Sequence, residues 1–324
     1  MGSELKRLAV VILTGLAGWA ASPAAAQMPD GGRVTAPSLE NVDPGRFSES
    51  PADVAYAAYQ RGYYLTALRL ATPLAEAGNP ASQTLVAEIY SRGLGVKPDI
   101  AKAMEWYEKA SERNVPEATF QLAMILLDGG PEIRDRERAY TLMKKAADQG
   151  HRLAQFNYAQ MAIARIPGQR GYAEAVPYLE KAATAGLPEA QYAMAQVRTE
   201  GLDGKSINGK EAREWLEKAA QQGFDTAQIE LGTWLVDHSG TAAGQAEGFG
   251  WLMRAASAGN PAAQNRVAKL YRAGVGVEPD RIQAAKWYLR ARRAGLIDPI
   301  MEDQLDGMTE EEIRLATLDA NRLN

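Results

Sequence analysis

Along most of the chain, apolar residues recur three and four positions apart in blocks of about a dozen. Short stretches rich in glycine, asparagine, proline and aspartate separate the blocks. That period puts the apolar side chains on one face of a helix. Between Ser82 and Arg92 the stripe runs through Val86, Ala87, Ile89 and Tyr90, and between Ile100 and Arg113 a second runs through Ala103, Trp106, Tyr107 and Ala110. The stretch between them, Gly93-Leu94-Gly95-Val96-Lys97-Pro98-Asp99, ends one helix and begins the next. Glycine takes positive φ at the helix end, and Asp99 offers an N-cap oxygen. The pattern therefore predicts a helical hairpin.

The hairpin repeats. A small residue followed by a polar one recurs as Ser82-Gln83, Ala118-Thr119, Ala154-Gln155, Ala190-Gln191, Ala227-Gln228 and Ala263-Gln264, at intervals of 36 residues except for one of 37. A turn residue keeps step with it at Gly78, Asn114, Gly150, Gly186, Gly223, Gly259 and Gly295. Two independent markers sharing one period identify a stacked repeat array. At the junctions, Gly78-Asn79-Pro80, Asn114-Val115-Pro116, Gly186-Leu187-Pro188 and Gly259-Asn260-Pro261 combine a left-handed helix end with a proline that opens the next helix. Alanine pairs such as Ala146-Ala147 and Ala255-Ala256 allow close helix approach, and a bulky residue eight positions before each turn (Trp106, Leu142, Tyr178, Trp215, Trp251, Trp287) fills the space between hairpins.

Lys102-Ala103, Trp106-Tyr107-Glu108-Lys109-Ala110, Ala285-Lys286-Trp287-Tyr288 and the two Gly-x-Gly-Val turns at Gly93 and Gly274 carry a family resemblance. The chain resembles the Sel1-like repeat, a relative of the tetratricopeptide repeat, over residues 51–297. The resemblance implies an all-α fold, a right-handed α-solenoid of Sel1-like hairpins, here one partial and six full repeats. Departures fall in the turns at Asp128-Gly129-Gly130-Pro131, Ile166-Pro167-Gly168 and Gly201-Leu202-Asp203-Gly204. After Leu296 the period stops. Residues 298–324 are expected to form a capping helix, opened by the capping box Thr309-Glu310-Glu311-Glu312, which covers the last hairpin's apolar face.

The N-terminus reads differently. Lys6 and Arg7, an apolar run of 14 residues from Leu8 to Ala21, and small residues up to Ala26 form a secretory signal expected to be cleaved before Gln27. Spanning a bilayer takes about 20 apolar residues, so an uncleaved anchor is the weaker reading, and no membrane span is expected in the mature chain. Residues 27–50, with Pro29, Pro37, Pro44, Gly31, Gly32 and Gly45, are expected to be a disordered lead segment. The expected location is the periplasm, with secretion as the alternative. Loss of Glu4, Lys6 and Arg7 with the leader takes the formal charge from -4 to -5. That makes nucleic acid a poor partner.

Candidate chemistry is sparse. With no cysteine there is no disulfide and no thiolate metal site. His151 and His238 are the two histidines, each in or beside a turn of a different repeat, where a solvated or capping imidazole is expected rather than a paired metal site. No cofactor motif is present, because Gly93-x-Gly95 lacks the third glycine and the preceding strand of a dinucleotide fingerprint. One outward-facing row is expected on the first helices if they line the concave side: Thr84, Phe120, Phe156, Tyr192, Ile229 and Asn265. Its aromatics Phe120, Phe156 and Tyr192 would anchor a protein or peptide partner, with Glu117, Gln160, Glu189 and Gln196 as polar contacts. The same row also fits aromatics half buried by the neighbouring hairpin. The resemblance implies a non-catalytic scaffold or adaptor, several exported bacterial relatives being regulators of envelope signalling. The alternative is an envelope enzyme acting on cell-wall or β-lactam substrates, as suspected of cysteine-rich relatives, whose disulfides this chain lacks.

Overall fold

The computed structural model describes residues 50–202, 204 and 209–321, which contain sixteen helices and no strand. The signal sequence, nearly all of the lead segment and Asp203 lie outside the described residues. The fold is all-α, an α-solenoid built of consecutive hairpins. It divides into two compact units, one up to Tyr178 and one from Leu179 onward.

In the first unit, α1 (Pro51–Gln60) pairs with α2 (Tyr64–Glu76), α3 (Pro80–Arg92) with α4 (Ile100–Glu112), and α5 (Pro116–Asp128) with α6 (Arg136–Asp148). Helices α7 (Arg152–Arg165) and α8 (Gln169–Thr184) follow, the unit boundary falling within α8. In the second unit, α9 (Pro188–Glu200) pairs with α10 (Gly209–Gln221), α11 (Asp225–His238) with α12 (Ala242–Ser257), and α13 (Pro261–Ala273) with α14 (Arg281–Arg293). Two tail helices complete it, α15 (Pro299–Asp306) and α16 (Glu310–Asn321). The tail was expected to hold one helix and holds two. Asp298 accepts the Ile300 N–H at 3.1 Å and Pro299 opens α15, a start signal that the sequence reading passed over.

The turns behave as their residues dictate. Gly93 and Gly274 sit at φ 66° and 68°, and Asn114 is the one described non-glycine residue at positive φ, 60°. Asp99 accepts the Lys102 N–H at 3.0 Å, and Asp280 accepts those of Ile282 and Gln283 at 2.8 and 2.9 Å. The second turn glycine has a further duty. A Cβ on Gly276 would lie 2.3 Å from the Gln245 carbonyl oxygen on α12 of the preceding hairpin. This glycine therefore lets the turn rest on its neighbour's backbone.

The recurring glutamine explains why the period is kept. Gln83, Gln155, Gln191, Gln228 and Gln264 are all buried, and each Nε2 donates to a carbonyl eight residues earlier, at Ala75, Ala147, Ala183, Ala220 and Ala256, over 3.0–3.3 Å. Each acceptor lies at the end of a second helix, on an alanine with at most 1% of its surface exposed. The missing side chain lets the next helix's glutamine reach the backbone. Thr119 stands where the sixth glutamine would be. It donates to the Ser111 hydroxyl at 2.8 Å, and Lys145 Nζ takes the Ser111 carbonyl at 2.7 Å. The carbonyl eight residues back is satisfied there too, by a different donor.

One hairpin is closer-packed than the rest. Gly232 on α11 faces Gly248 on α12, where other hairpins place alanines such as Ala87 and Ala103. A Cβ on Gly248 would come within 2.6 Å of the Gly232 carbonyl oxygen, and one on Gly232 within 2.8 Å of that of Gly248. The tail closes the second unit's core, with Met301, Leu305, Met308 and Ala316 buried together with Trp287 and Tyr288. Thr309 and Glu312 form the expected reciprocal box, the Thr309 N–H reaching Glu312 Oε2 at 2.9 Å and the Glu312 N–H reaching Thr309 Oγ1 at 3.3 Å.

Two glycines on one helix should respond oppositely to alanine. Gly248→Ala is expected to destabilise by about 1–3 kcal/mol through overpacking. Gly250→Ala, which meets open space, should stabilise by up to about 1 kcal/mol through helix propensity. Urea unfolding followed by circular dichroism reads both, and equal responses would contradict the packing account. Replacing Gln155 by leucine strands the Ala147 carbonyl and should cost about 1–3 kcal/mol in the same assay.

Candidate functional site

The first helix of each hairpin carries the residues expected to meet a partner, and the structure engages most of them within the scaffold. Phe120 on α5 was expected to face outward; it is 2% exposed, its ring 4.5 Å from the His151 ring and stacked on it at 24°. Tyr192 on α9 is 9% exposed and packs on Phe224 at 5.4 Å. The cause is the same in both units. The N-cap residue of the following first helix, His151 or Phe224, is itself a ring and covers the aromatic one repeat earlier. Phe156 on α7 remains half-buried and is the ladder aromatic with surface to offer.

The polar positions divide in the same way. His151 caps α7: its Nδ1 accepts the Ala154 N–H at 3.1 Å, which leaves the proton on Nε2, and Nε2 donates to Glu117 Oε2 at 2.9 Å. Gln121 donates to the other Glu117 oxygen at 2.7 Å. The hydrogen bond from His151 holds the Glu117 carboxyl below its ordinary range, outweighing the burial that would raise it. Gln196 Nε2 donates to both Glu230 oxygens at 3.1 and 2.9 Å. Burial, with the Glu230 carboxylate beside it, pushes the Tyr192 hydroxyl upward. Glu117 and Gln196 thus stitch successive first helices together. Gln160, 4% exposed, and Glu189 keep one buried oxygen each, Gln160 Oε1 and Glu189 Oε2, with no hydrogen-bond partner.

One exposed aromatic escaped the sequence reading. Trp234 on α11 is 43% exposed, whereas at the same repeat position Ile89, Val197 and Leu270 are at most 4% exposed and Ile125 and Met161 are half-buried. Arg213 lies over its ring at 5.1 Å and His238 stacks on it at 5.9 Å. A tryptophan where other repeats place an aliphatic was the available signal. Histidine 238 also directs Nδ1 to the Trp234 carbonyl at 3.2 Å. Among the described residues, no group of three His, Cys, Asp or Glu side chains is arranged to hold a metal ion. No described helix is long and apolar enough to cross a membrane.

Stacked hairpins joined by side-chain clamps, with rings and carboxylates spent on holding neighbours, define a helical-repeat scaffold. The Sel1 repeat model matches residues 80–115, 116–151, 153–187, 188–224 and 261–296, more than half of the chain, which therefore belongs to the Sel1 repeat family. Proteins of this family generally serve as non-catalytic protein-interaction scaffolds. The unmatched stretch 225–260 folds as a hairpin nonetheless, and it is the one with the glycine-on-glycine contact. Among solved structures, a Sel1 repeat protein from Oxalobacter formigenes is similar at 26% identity with a TM-score of 0.63, over 84% of this chain and 83% of that one. A protective antigen of uropathogenic Escherichia coli shares the fold at 22% identity with a TM-score of 0.51, over 85% of this chain and 72% of that one. A curated relative, chitin synthase regulatory factor 3 of Schizosaccharomyces pombe, is 29% identical over 71% of this chain. The chain spans about a quarter of that relative's length.

The Glu117 contact makes a pH prediction. A carboxyl held low in the folded state adds stability above its unfolded value, near 4.5, and loses it as pH falls through the folded value. Because Glu117 is half-exposed, the effect should be under about 1 kcal/mol. Glu117→Gln should therefore lower the melting temperature at neutral pH and converge with the parent as the pH falls well below the ordinary carboxylate range. Parallel curves would contradict the contact. Phe120→Ala should cost about 3–5 kcal/mol in unfolding, as a buried ring does.

Proposed function

We propose that the chain is a non-catalytic scaffold of the periplasm that binds a partner protein or peptide through its first-helix surface, in the regulation of envelope signalling. The observation that carries this reading is the half-exposed Phe156 on a first helix, where the corresponding rings Phe120 and Tyr192 are buried. A half-exposed ring suits a partner's apolar side chain. A rigid repeat array loses little conformational freedom on association, which favours binding. The relative's name, a chitin synthase regulatory factor, supports regulation through an adaptor. The basic start, apolar run and Ala26 support export.

Cell fractionation with N-terminal sequencing should recover a mature chain beginning at Gln27 in the periplasm; recovery of the intact leader in the cytoplasm would remove the location. In-cell crosslinking with mass spectrometry should identify a partner whose recovery drops about ten-fold with Phe156→Ala while the melting temperature stays within a few degrees. Undiminished recovery would move binding off this surface.

A further inference from the structure

The turn between α5 and α6 is built differently from the Gly-x-Gly-Val turns, and the space it vacates is a cavity. In the turn from Gly93 to Asp99, a Cβ on Gly95 would lie 3.3 Å from Leu65 on α2, and Val96 packs half-buried against the core of the first hairpins. One repeat later Pro131 and Glu132 stand at those two positions, and both are exposed. The turn still closes in register. The Asp135 N–H reaches the Leu126 carbonyl at 3.0 Å, as the Asp99 N–H reaches that of Tyr90 at 3.0 Å. Gly129 lets Ile133 fold back on the end of α5, since a Cβ there would lie 2.9 Å from the Ile133 side chain. The turn therefore curls on itself instead of resting on the preceding hairpin. A cavity of about 580 Å³ opens between it, the start of α6 and Met104 on α4.

Met104, Leu126 and Ile133 supply the apolar part of the lining, and charged side chains of both signs supply the rest. Most of those charges are already engaged. Arg138 pairs with Glu108, Glu137 takes Arg165 at 2.8 Å, Asp135 accepts the Arg138 N–H at 3.0 Å, and Arg134 Nε donates to the Gly129 carbonyl at 3.1 Å. Glu132 and Arg136 are not. Both are exposed, and neither has a hydrogen bond or ion pair to another described residue. A neutral apolar ligand seated here would strip water from both charges and offer nothing in exchange. An anion would meet Glu132 as a like charge, and a cation would meet Arg136 as one. A ligand with both signs on an apolar body answers all three parts of the lining.

We infer that this cavity binds a small apolar zwitterion, an apolar amino acid or short peptide, with its carboxylate on Arg136, its ammonium on Glu132 and its side chain against Met104, Leu126 and Ile133. A guanidinium can grip a carboxylate with two parallel hydrogen bonds. The volume is that of a small-molecule site, and the flexible Met104 side chain can adapt to branched or straight ligands. Such a site goes beyond the scaffold role and does not involve Phe156.

The test is calorimetric titration of the purified full chain with leucine, leucyl-leucine, leucyl-leucine amide and N-acetyl-leucyl-leucine. Expected is saturable binding of a zwitterionic form with a Kd on the order of 1 mM or tighter, weakened about three-fold or more when either end is blocked. Arg136→Ala should erase the advantage of the dipeptide over its amide, and Glu132→Ala its advantage over the N-acetyl form. Both side chains are exposed and unpartnered, so the melting temperature should not move with either change. A dipeptide that binds more tightly than leucine supports the site and assigns it to peptides. Equal affinity supports it and assigns it to free amino acids. No saturable binding up to about 10 mM, or binding indifferent to both blocked ends and both substitutions, would overturn the proposal. Phe156→Ala should leave the titration unchanged, and a loss of partner crosslinks with that variant bears on the first-helix surface alone.

Discussion

Each hairpin of this protein is held to the next by a backbone carbonyl that would otherwise be buried without a partner. A second helix ends on an alanine pair, the neighbouring helix comes close because nothing larger than a methyl intervenes, and that closeness would bury an orphan carbonyl at real cost. The glutamine at the start of the next first helix supplies the donor. Close approach and polar satisfaction are thus one constraint, and neither alanine nor glutamine is useful alone. The exception at Ser111 and Thr119 supports this account, since a lysine from the following repeat serves the carbonyl there.

The same economy governs the rest of the polar surface. Carboxylates and amides on the first helices, Glu117, Gln196 and Glu230 among them, are drawn into bonds between successive helices. The rings at Phe120 and Tyr192 lie under the next helix's N-cap. What remains for a partner is what the stacking does not consume: the half-exposed Phe156 and the protruding Trp234. An adaptor reading follows from the family and from this remainder together, because rigid arrays bind with the groups their own packing leaves over.

Variation among the repeats marks where the array departs from its own rule. The hairpin of α11 and α12 replaces two alanines by glycines and lacks the Gly-x-Gly-Val turn. Its helices meet backbone to backbone, and it displays an exposed tryptophan where its siblings hold buried or half-buried aliphatic side chains or methionine. The architecture survives because the glutamine clamp at Gln228 is kept even where the turn and the packing residues change.

Much of the fold was legible in one dimension because its information is local and repeated. The period, the Asp99 and Asp280 caps, the left-handed glycines and Asn114, and the Thr309 box each depend on residues a few positions apart, and the structure realises each as written. The glutamine was visible as a marker but not as a donor, since its acceptor lies across a helix junction. The site was less legible. Whether Phe120, Phe156 or Tyr192 reaches solvent depends on which side chain sits at the N-cap some thirty residues later. The sequence alone determined the repeated helices and turns and their order through short-range sterics and hydrogen bonding, while the first of the two tail helices went unread. Tertiary packing decided which rings, carboxylates and cations are spent inside the stack and which are left at its surface, because burial is a property of neighbours distant in sequence.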